Sequence, residues 1–417
     1  MSYMGTVNTN VQKSNGLEWI AAIMLFLFIP PYFMWGIMSS YYLSIPLTLL
    51  LCVLFYMNKR RFSKTDKKLI LLFAITLLYY TFNGLLHGTN IMGGIARLLV
   101  LAYIAVPFAK ETFSKQVYNK FLSIISIVLS ISILSYILSR TGIISPIGEI
   151  SRMEGDILES FDVYPLLVAE RGFDFLRFYG PFSEPGTVGT LSAILMCVQR
   201  FNFKDIRIIP IFISGLLSFS LFFYVLVLVY GCIYFLTVRK NYFIIILFAA
   251  LISGFYIATK DDPILYTLIW ERIEWDEDNQ QFKGDSRKSV WVDDYYDKFK
   301  KTPQYWTGSS KEEVAQFWNY VESTSSYKVV VVTDGIIFVV LYLLFFIIYA
   351  FHYRRSNKEF LLFLFVLLAN FYQRSNVYNI LYLFLYTYLA GPAISIDVVQ
   401  RAVKHSKNKK VLPVTGN

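Results

Sequence analysis

Long apolar runs alternate with short polar breaks along most of the chain, and each run is judged against the roughly 30 Å of hydrocarbon that a membrane-crossing helix must span. The first runs are Leu17 to Met38, interrupted by Pro30-Pro31, then Tyr41 to Met57, Leu69 to Leu86, Ile91 to Phe108 and Phe121 to Leu138. Gly186 to Val198 is short. Ile206 to Thr237 is long for one helix and short for two, and Phe243 to Ala258, Val329 to Phe351, Phe360 to Tyr372 and Val377 to Leu389 complete the set. Two segments stay polar for long stretches, Arg140 to Glu184 and Lys260 to Tyr327. The pattern predicts one transmembrane domain over 1–417, all-α, with two large loops on one side.

Charge orients the spans. Lys59-Arg60-Arg61 with Lys64, Lys67 and Lys68, then Lys110, Lys115 and Lys120, then Arg200, Lys204 and Arg207, fall at alternate boundaries, as cytoplasmic loops do. Reading Ile206 to Thr237 as a hairpin that turns near Ser218-Phe219-Ser220 keeps Arg239-Lys240, Arg354-Arg355 and the basic tail from Arg401 to Lys410 on that same side. The expectation is about twelve transmembrane helices with both termini cytoplasmic, and a first span that is retained because it lacks a small-residue cleavage site. Composition agrees: 56% of residues are hydrophobic and only 16% charged, the balance of an integral membrane protein. A net charge of +10 would suit nucleic acid, but the basic residues sit in short clusters between apolar runs, which argues against that partner. Cys52, Cys197 and Cys232 lie inside apolar runs, with neither disulfide nor metal-ligand spacing.

The most informative stretch is Arg177-Phe-Tyr-Gly-Pro-Phe-Ser-Glu-Pro-Gly-Thr-Val-Gly-Thr190, where a polar loop becomes an apolar helix. Pro185 fits a first helical turn, and Gly180, Gly186 and Gly189 allow close approach of a backbone or ligand. An arginine, a carboxylate and free amide groups at a helix start suit a phosphate-bearing ligand; a solvated turn is the plain alternative. Arg171 and Arg177 in the first loop, with Arg272, Arg287 and Lys288 in the second, can converge on one anion or else pair with loop carboxylates. Apart from Arg374, the second loop offers the other external arginines that could close over Arg177.

Arg97 stands inside an apolar span, where an arginine is costly unless paired or functional, and Asp334 is its plausible partner. Asp276-Glu-Asp278 matches a short metal-binding pattern of some glycosyltransferases, but in a loop that is acidic throughout. His87, His352 and His405 are the only histidines, so neither large loop holds one. In the second loop Ser310-Lys-Glu-Glu313 spells a capping box, followed on one helical face by Val314, Phe317, Trp318 and Val321. Trp270, Trp275, Trp291, Tyr295, Tyr296, Tyr305 and Trp306 suit a membrane interface or stacking on sugar rings. Leu412-Pro-Val-Thr-Gly416 spells a sortase signal on the wrong side of the expected topology.

The order of basic inner loops, an external loop ending in Arg-x-x-Gly-x-Phe-x-Glu-Pro-Gly, a hairpin carrying Ser-Phe-Ser, a long external loop, and Ser-Ser-Tyr327 feeding a span with Asp334-Gly335 resembles the O-antigen polymerase (Wzy) and O-antigen ligase superfamily. That resemblance implies a GT-C-like helical fold in the bacterial plasma (inner) membrane. It implies transfer of a growing glycan from undecaprenyl diphosphate, without nucleotide sugars, to an incoming lipid-linked repeat unit at the outer face; no cofactor is expected, and no metal, because arginine-rich loops can replace a divalent cation at the diphosphate and the Asp276-Glu-Asp278 match is weak. It implies membrane lipid and a chain-length regulator protein as partners. Ligases of the superfamily tend to carry a histidine in the second large loop, so its absence here favours a polymerase. On this reading Arg177 and Glu184 are the catalytic candidates, the first for the diphosphate leaving group and the second as base for the attacking hydroxyl or, alternatively, as a helix cap. Arg97, Arg171, Arg272, Arg287 and Tyr327 are the substrate-binding candidates. An O-antigen ligase, a lipid-linked oligosaccharide flippase or other transporter, and a non-catalytic assembly subunit are the competing readings; transporters usually show repeats and little external mass, whereas here no repeat is visible and the polar mass lies outside.

Overall fold

The computed structural model describes residues 16–35, 53, 56, 63–88, 111–154, 157–172, 177–277, 281–283, 290–310, 313, 327–354, 356–374 and 379–391. The expected span Ile91 to Phe108, with Arg97, lies outside them, as do nearly all of Tyr41 to Met57, Arg287, Asp278 and the basic tail. The protein is mostly helical. Its helices are α1 (Leu17–Leu27), α2 (Lys64–Leu86), α3 (Glu111–Arg140), α4 (Pro185–Gln199), α5 (Ile208–Leu217), α6 (Leu221–Ile233), α7 (Tyr242–Thr259), α8 (Val290–Phe299), α9 (Tyr327–Tyr353), α10 (Asn357–Gln373) and α11 (Ile380–Ala390). Among the described residues α2, α3, α9 and the stretch Leu221–Arg239, which is α6 continued through a π turn, are long and apolar enough to cross a membrane. The chain is therefore membrane-embedded.

Local chemistry sets the helix limits. At the start of α2 the Asp66 N–H donates to Ser63 Oγ (3.0 Å) and the Ser63 N–H to Asp66 Oδ2 (2.9 Å), so the helix begins five residues before the apolar run. The long run 206–237 breaks at Ser218-Phe219-Ser220, with Phe219 at φ 47°, and yields α5 and α6. The 15 residues of α4 and 10 of α5 rise only about 22 and 15 Å, less than the hydrocarbon thickness. The centre of the bundle is α4, buried from Val188 to Val198 on every side. Small residues permit this: a Cβ at Gly189 would overlap the Ser220 side chain, so α4 lies hard against the turn between α5 and α6.

Two features depart from an all-α bundle of straight spans. The loop 140–184 holds an antiparallel sheet, β1 (Gly148–Glu154), β2 (Ile157–Tyr164) and β3 (Leu167–Glu170), in the order β1-β2-β3. Period-two alternation puts Phe161 and Val163 on one face, where with Val168 they form a small core lined by Tyr32, Trp35 and Tyr179. The turn after β2 rests on α3, with Ser135 Oγ donating to the Pro165 carbonyl at 2.7 Å. A second, two-residue hairpin, Trp275–Asp276 with Gln281–Phe282, lies in the loop 260–327.

The second departure is in α9, which breaks at Gly335 (φ 79°, ψ 161°), a conformation open in practice only to glycine. The second loop fills the break: the Ser309 N–H donates to the Val332 carbonyl (2.8 Å), and the Asn83 amide of α2 donates to the carbonyls of Thr307 and Asp334. Irregular backbone inside a membrane needs such partners. Asp334 is buried, with Thr333 Oγ1 donating to it at 2.7 Å. Gly335→Ala combines a forbidden φ with overlap onto the Trp306 carbonyl, and is expected to cost about 1–3 kcal/mol. A melting curve of the detergent-solubilised protein checks this, and an unchanged Tm would mean that the break is not rigidly held.

Candidate functional site

The start of α4 is where separate parts of the chain meet. The segment leading to it is pinned on both sides: the Val168 N–H of β3 donates to the Gly180 carbonyl (2.9 Å), and the Tyr32 N–H to the Pro181 carbonyl (2.7 Å). At its upstream end the Phe178 N–H donates to the Leu217 carbonyl (3.0 Å) and Arg177 Nε to the Ser218 carbonyl (3.3 Å). Arg177 therefore sits on the C-terminus of α5, where unpaired carbonyls and the helix dipole favour a cation. The sheet thus serves as the bracket that aims this arginine.

Glu184 occupies the N-cap position of α4 but makes no side-chain cap, which removes the capping alternative. Its carboxylate instead accepts from an Arg374 terminal nitrogen at 2.7 Å. Arg374 follows α10 directly and is 9% exposed, and its Nε has no hydrogen-bond partner among the described residues. Its guanidinium lies over Gly186, where a Cβ would overlap it. The glycine at this helix start thus admits a side chain of the protein itself.

Arg272 comes from the second loop, in a short turn Glu271–Ile273, and is close enough to Arg177 to act on its charge. Burial, with Arg272 and Arg374 nearby, pushes the Arg177 guanidinium down to about 10, while Tyr179 and Glu184 act the other way. Burial also lowers Arg272, which has no carboxylate partner among the described residues. Arg272 and Arg374 thus both act on Arg177, while Glu184 pairs with Arg374 and acts on Arg177. Such an excess of desolvated positive charge is unfavourable until an anion enters it.

The other candidates are placed differently. Arg171 is exposed on the sheet and spends its fork on Glu149 and Asp162, both at 2.6 Å, so its expected part in anion binding is corrected to a sheet-surface ion pair. Tyr327 opens α9 and stacks on Tyr372 (ring centroids 6.0 Å apart) beside Phe371 and Tyr296, two residues before Arg374 along α10. Arg97 and Arg287 lie outside the described residues, so the expected pairing of Arg97 with Asp334 does too. The capping box at Ser310 is present, with the Ser310 N–H donating to Glu313 (3.1 Å) and the Glu313 N–H to Ser310 Oγ (3.4 Å). The helix expected after it falls outside. Arg374 is the residue that sequence reasoning left at the margin; its only local signal was a lone arginine in the short polar break between two apolar runs.

No family model, curated protein or solved structure matches this chain. The geometry of the site is the ground on which its chemistry is read. Among the described residues no group of three or more His, Cys, Asp or Glu side chains is arranged to hold a metal ion. What the site offers is fixed positive charge and one oriented carboxylate.

The lowered Arg177 pKa fixes the sign of a stability effect. Its charged form is disfavoured in the fold, so the ionised guanidinium costs stability below about pH 10, and that cost is relieved as pH rises from there towards the ordinary arginine range. Arg177→Gln is accordingly expected to stabilise the ligand-free protein by ~0.5–2 kcal/mol at pH 7, with the gain shrinking above about pH 10. Thermal unfolding at pH 7 and pH 10.5 measures it. A variant less stable at both values would make Arg177 a structural clasp on α5 and not a ligand group.

Proposed function

We propose that this protein is a glycan polymerase of the bacterial plasma membrane. It transfers a growing chain from undecaprenyl diphosphate to the hydroxyl of an incoming lipid-linked repeat unit at the outer face, in O-antigen or capsular polysaccharide synthesis. The observation that carries the reading is that Arg272 and Arg374 both come close to Arg177 at the start of α4, where Arg374 also pairs with Glu184. A diphosphate leaving group is the anion that such a surplus of guanidinium charge suits, because arginine presents paired donors to phosphate oxygens.

Stepwise, the chemistry needs three tasks. Arg177 and Arg272 stabilise the negative charge that grows on the diphosphate as the anomeric C–O bond breaks. Glu184, aimed by its contact with Arg374, accepts the proton of the attacking hydroxyl. Tyr327 and Tyr372 offer ring faces to a sugar next to the reacting centre. Twelve crossings, cytoplasmic termini and the GT-C-like arrangement belong to the same proposal. The break in α9 does not draw the reading towards a transporter: it lies near the arginine end of that helix and is filled by residues 304–309 of the chain itself.

The test is complementation of a deletion strain, read as the ladder of surface glycans on a gel. Arg177→Ala, expressed in the membrane at normal level, is expected to lose the ladder while one repeat unit is retained, since a contact on the leaving group contributes on the order of 2–4 kcal/mol to the barrier. Arg177→Lys keeps the charge and loses the fork, and should fare nearly as badly. A full ladder with Arg177→Ala removes the site, and loss of all capped lipid in the deletion strain would make the protein a ligase.

A further inference from the structure

The end of the bundle opposite the arginine cluster carries a second polar feature that the proposed reaction does not use. The Arg177 site lies at the start of α4, the end of α10 and the outer part of α9. A shallow cavity, open to solvent, lies at the other ends of the same three helices, between Arg200 after α4, Tyr353 and Arg354 after α9, and Glu359 in the first turn of α10. Its floor is apolar, formed by Phe360, Phe363, Leu389 and Ala350. Arg200 pairs with Glu359 at 3.1 Å and is balanced by it. Arg354 has no carboxylate partner among the described residues; its guanidinium lies over the Phe351 ring, 3.4 Å from the centroid, at the cavity mouth.

The surroundings have the same sign. The start of α2 reaches this end, because Tyr353 donates to Asp66, and brings Lys64, Lys67 and Lys68. The continuation of α6 reaches it as well, because Lys358 Nζ donates to the Thr237 carbonyl (3.0 Å), and brings Arg239 and Lys240. Asp66 and Glu359, the carboxylates among the described residues that contact this region, are each engaged, one in the α2 cap and with Tyr353, the other with Arg200. A basic rim around an apolar floor, at the ends of membrane helices, is the surface that an anionic lipid headgroup with its glycerol and upper acyl carbons fits.

We propose that this cavity binds the phosphate headgroup of an anionic phospholipid, with Arg354 as the headgroup contact and the Phe360–Phe363 floor under the glycerol backbone. The inference is independent of the reaction assigned to the opposite end. It takes a lipid and not a soluble phosphate because the single unbalanced guanidinium is one contact, and the apolar floor supplies the rest.

Native mass spectrometry of the detergent-purified full chain tests it, with short-chain phosphatidylglycerol and phosphatidylcholine of equal chain length as probes and inorganic phosphate as competitor. The expected result is saturable preference for phosphatidylglycerol, weakened about fivefold by Arg354→Ala, the effect of one basic residue at an anionic surface. Arg354 is exposed, so the variant should melt as the wild type does without lipid, and Arg177→Ala should leave the preference intact. Equal binding of the two lipids, an unaffected Arg354→Ala, loss with Arg177→Ala instead, or displacement by millimolar inorganic phosphate would each overturn the assignment.

Discussion

Two antiparallel helices, α4 and α10, are tied to each other at both ends by ion pairs of the same construction. Glu184 at the start of α4 meets Arg374 at the end of α10, and Arg200 at the end of α4 meets Glu359 in the first turn of α10. Each carboxylate stands where its helix has a positive end and each guanidinium where its helix has a negative one, so the dipoles reinforce both pairs. Arg374, Arg200 and Glu359 are largely withdrawn from solvent, so the cost of desolvating the charges offsets much of the attraction within the pairs. Their larger consequence is register. With both ends held, α10 cannot slide along the buried core helix, and Arg374 is kept over Gly186 beside the carboxylate.

Around that fixed frame the arginine cluster is an imbalance that the fold tolerates. Arg177 is compensated in part by the carbonyl end of α5, and Arg374 by Glu184, but Arg272 arrives from the second loop with no carboxylate partner among the described residues. The sheet brackets the first of these arginines, the filled break in α9 anchors the loop that carries Arg272, and α10 positions the third. Three unrelated devices therefore gather positive charge at the start of α4. Held positive charge of this kind is what an enzyme needs if it is to meet a leaving group without reorganising during the reaction.

Much of this was legible in residue order because local rules govern it. The apolar runs, the turn at Ser218-Phe219-Ser220, the capping box at Ser310 and the loop-to-helix step at Glu184-Pro185-Gly186 follow from hydropathy, turn chemistry and capping. The sheet was hidden because its alternation is short: Phe161 and Val163 sit among Glu159, Asp162 and Glu170, which read as a solvated acidic loop. The break at Gly335 depends on docking of residues 304–309, and the Glu184–Arg374 pair joins positions 190 residues apart, so neither has a local signature. Arg171 was miscast for a related reason, since only strand register shows that Glu149 and Asp162 are its neighbours.

Direct observation of the ligand decides the central claim. A cryo-electron-microscopy map of the protein with undecaprenyl diphosphate bound should show the diphosphate between Arg177 and Arg272, about 3 Å from their guanidinium nitrogens, with Arg374 still on Glu184. Diphosphate density elsewhere, with the arginines at the start of α4 unchanged and unoccupied, would contradict it.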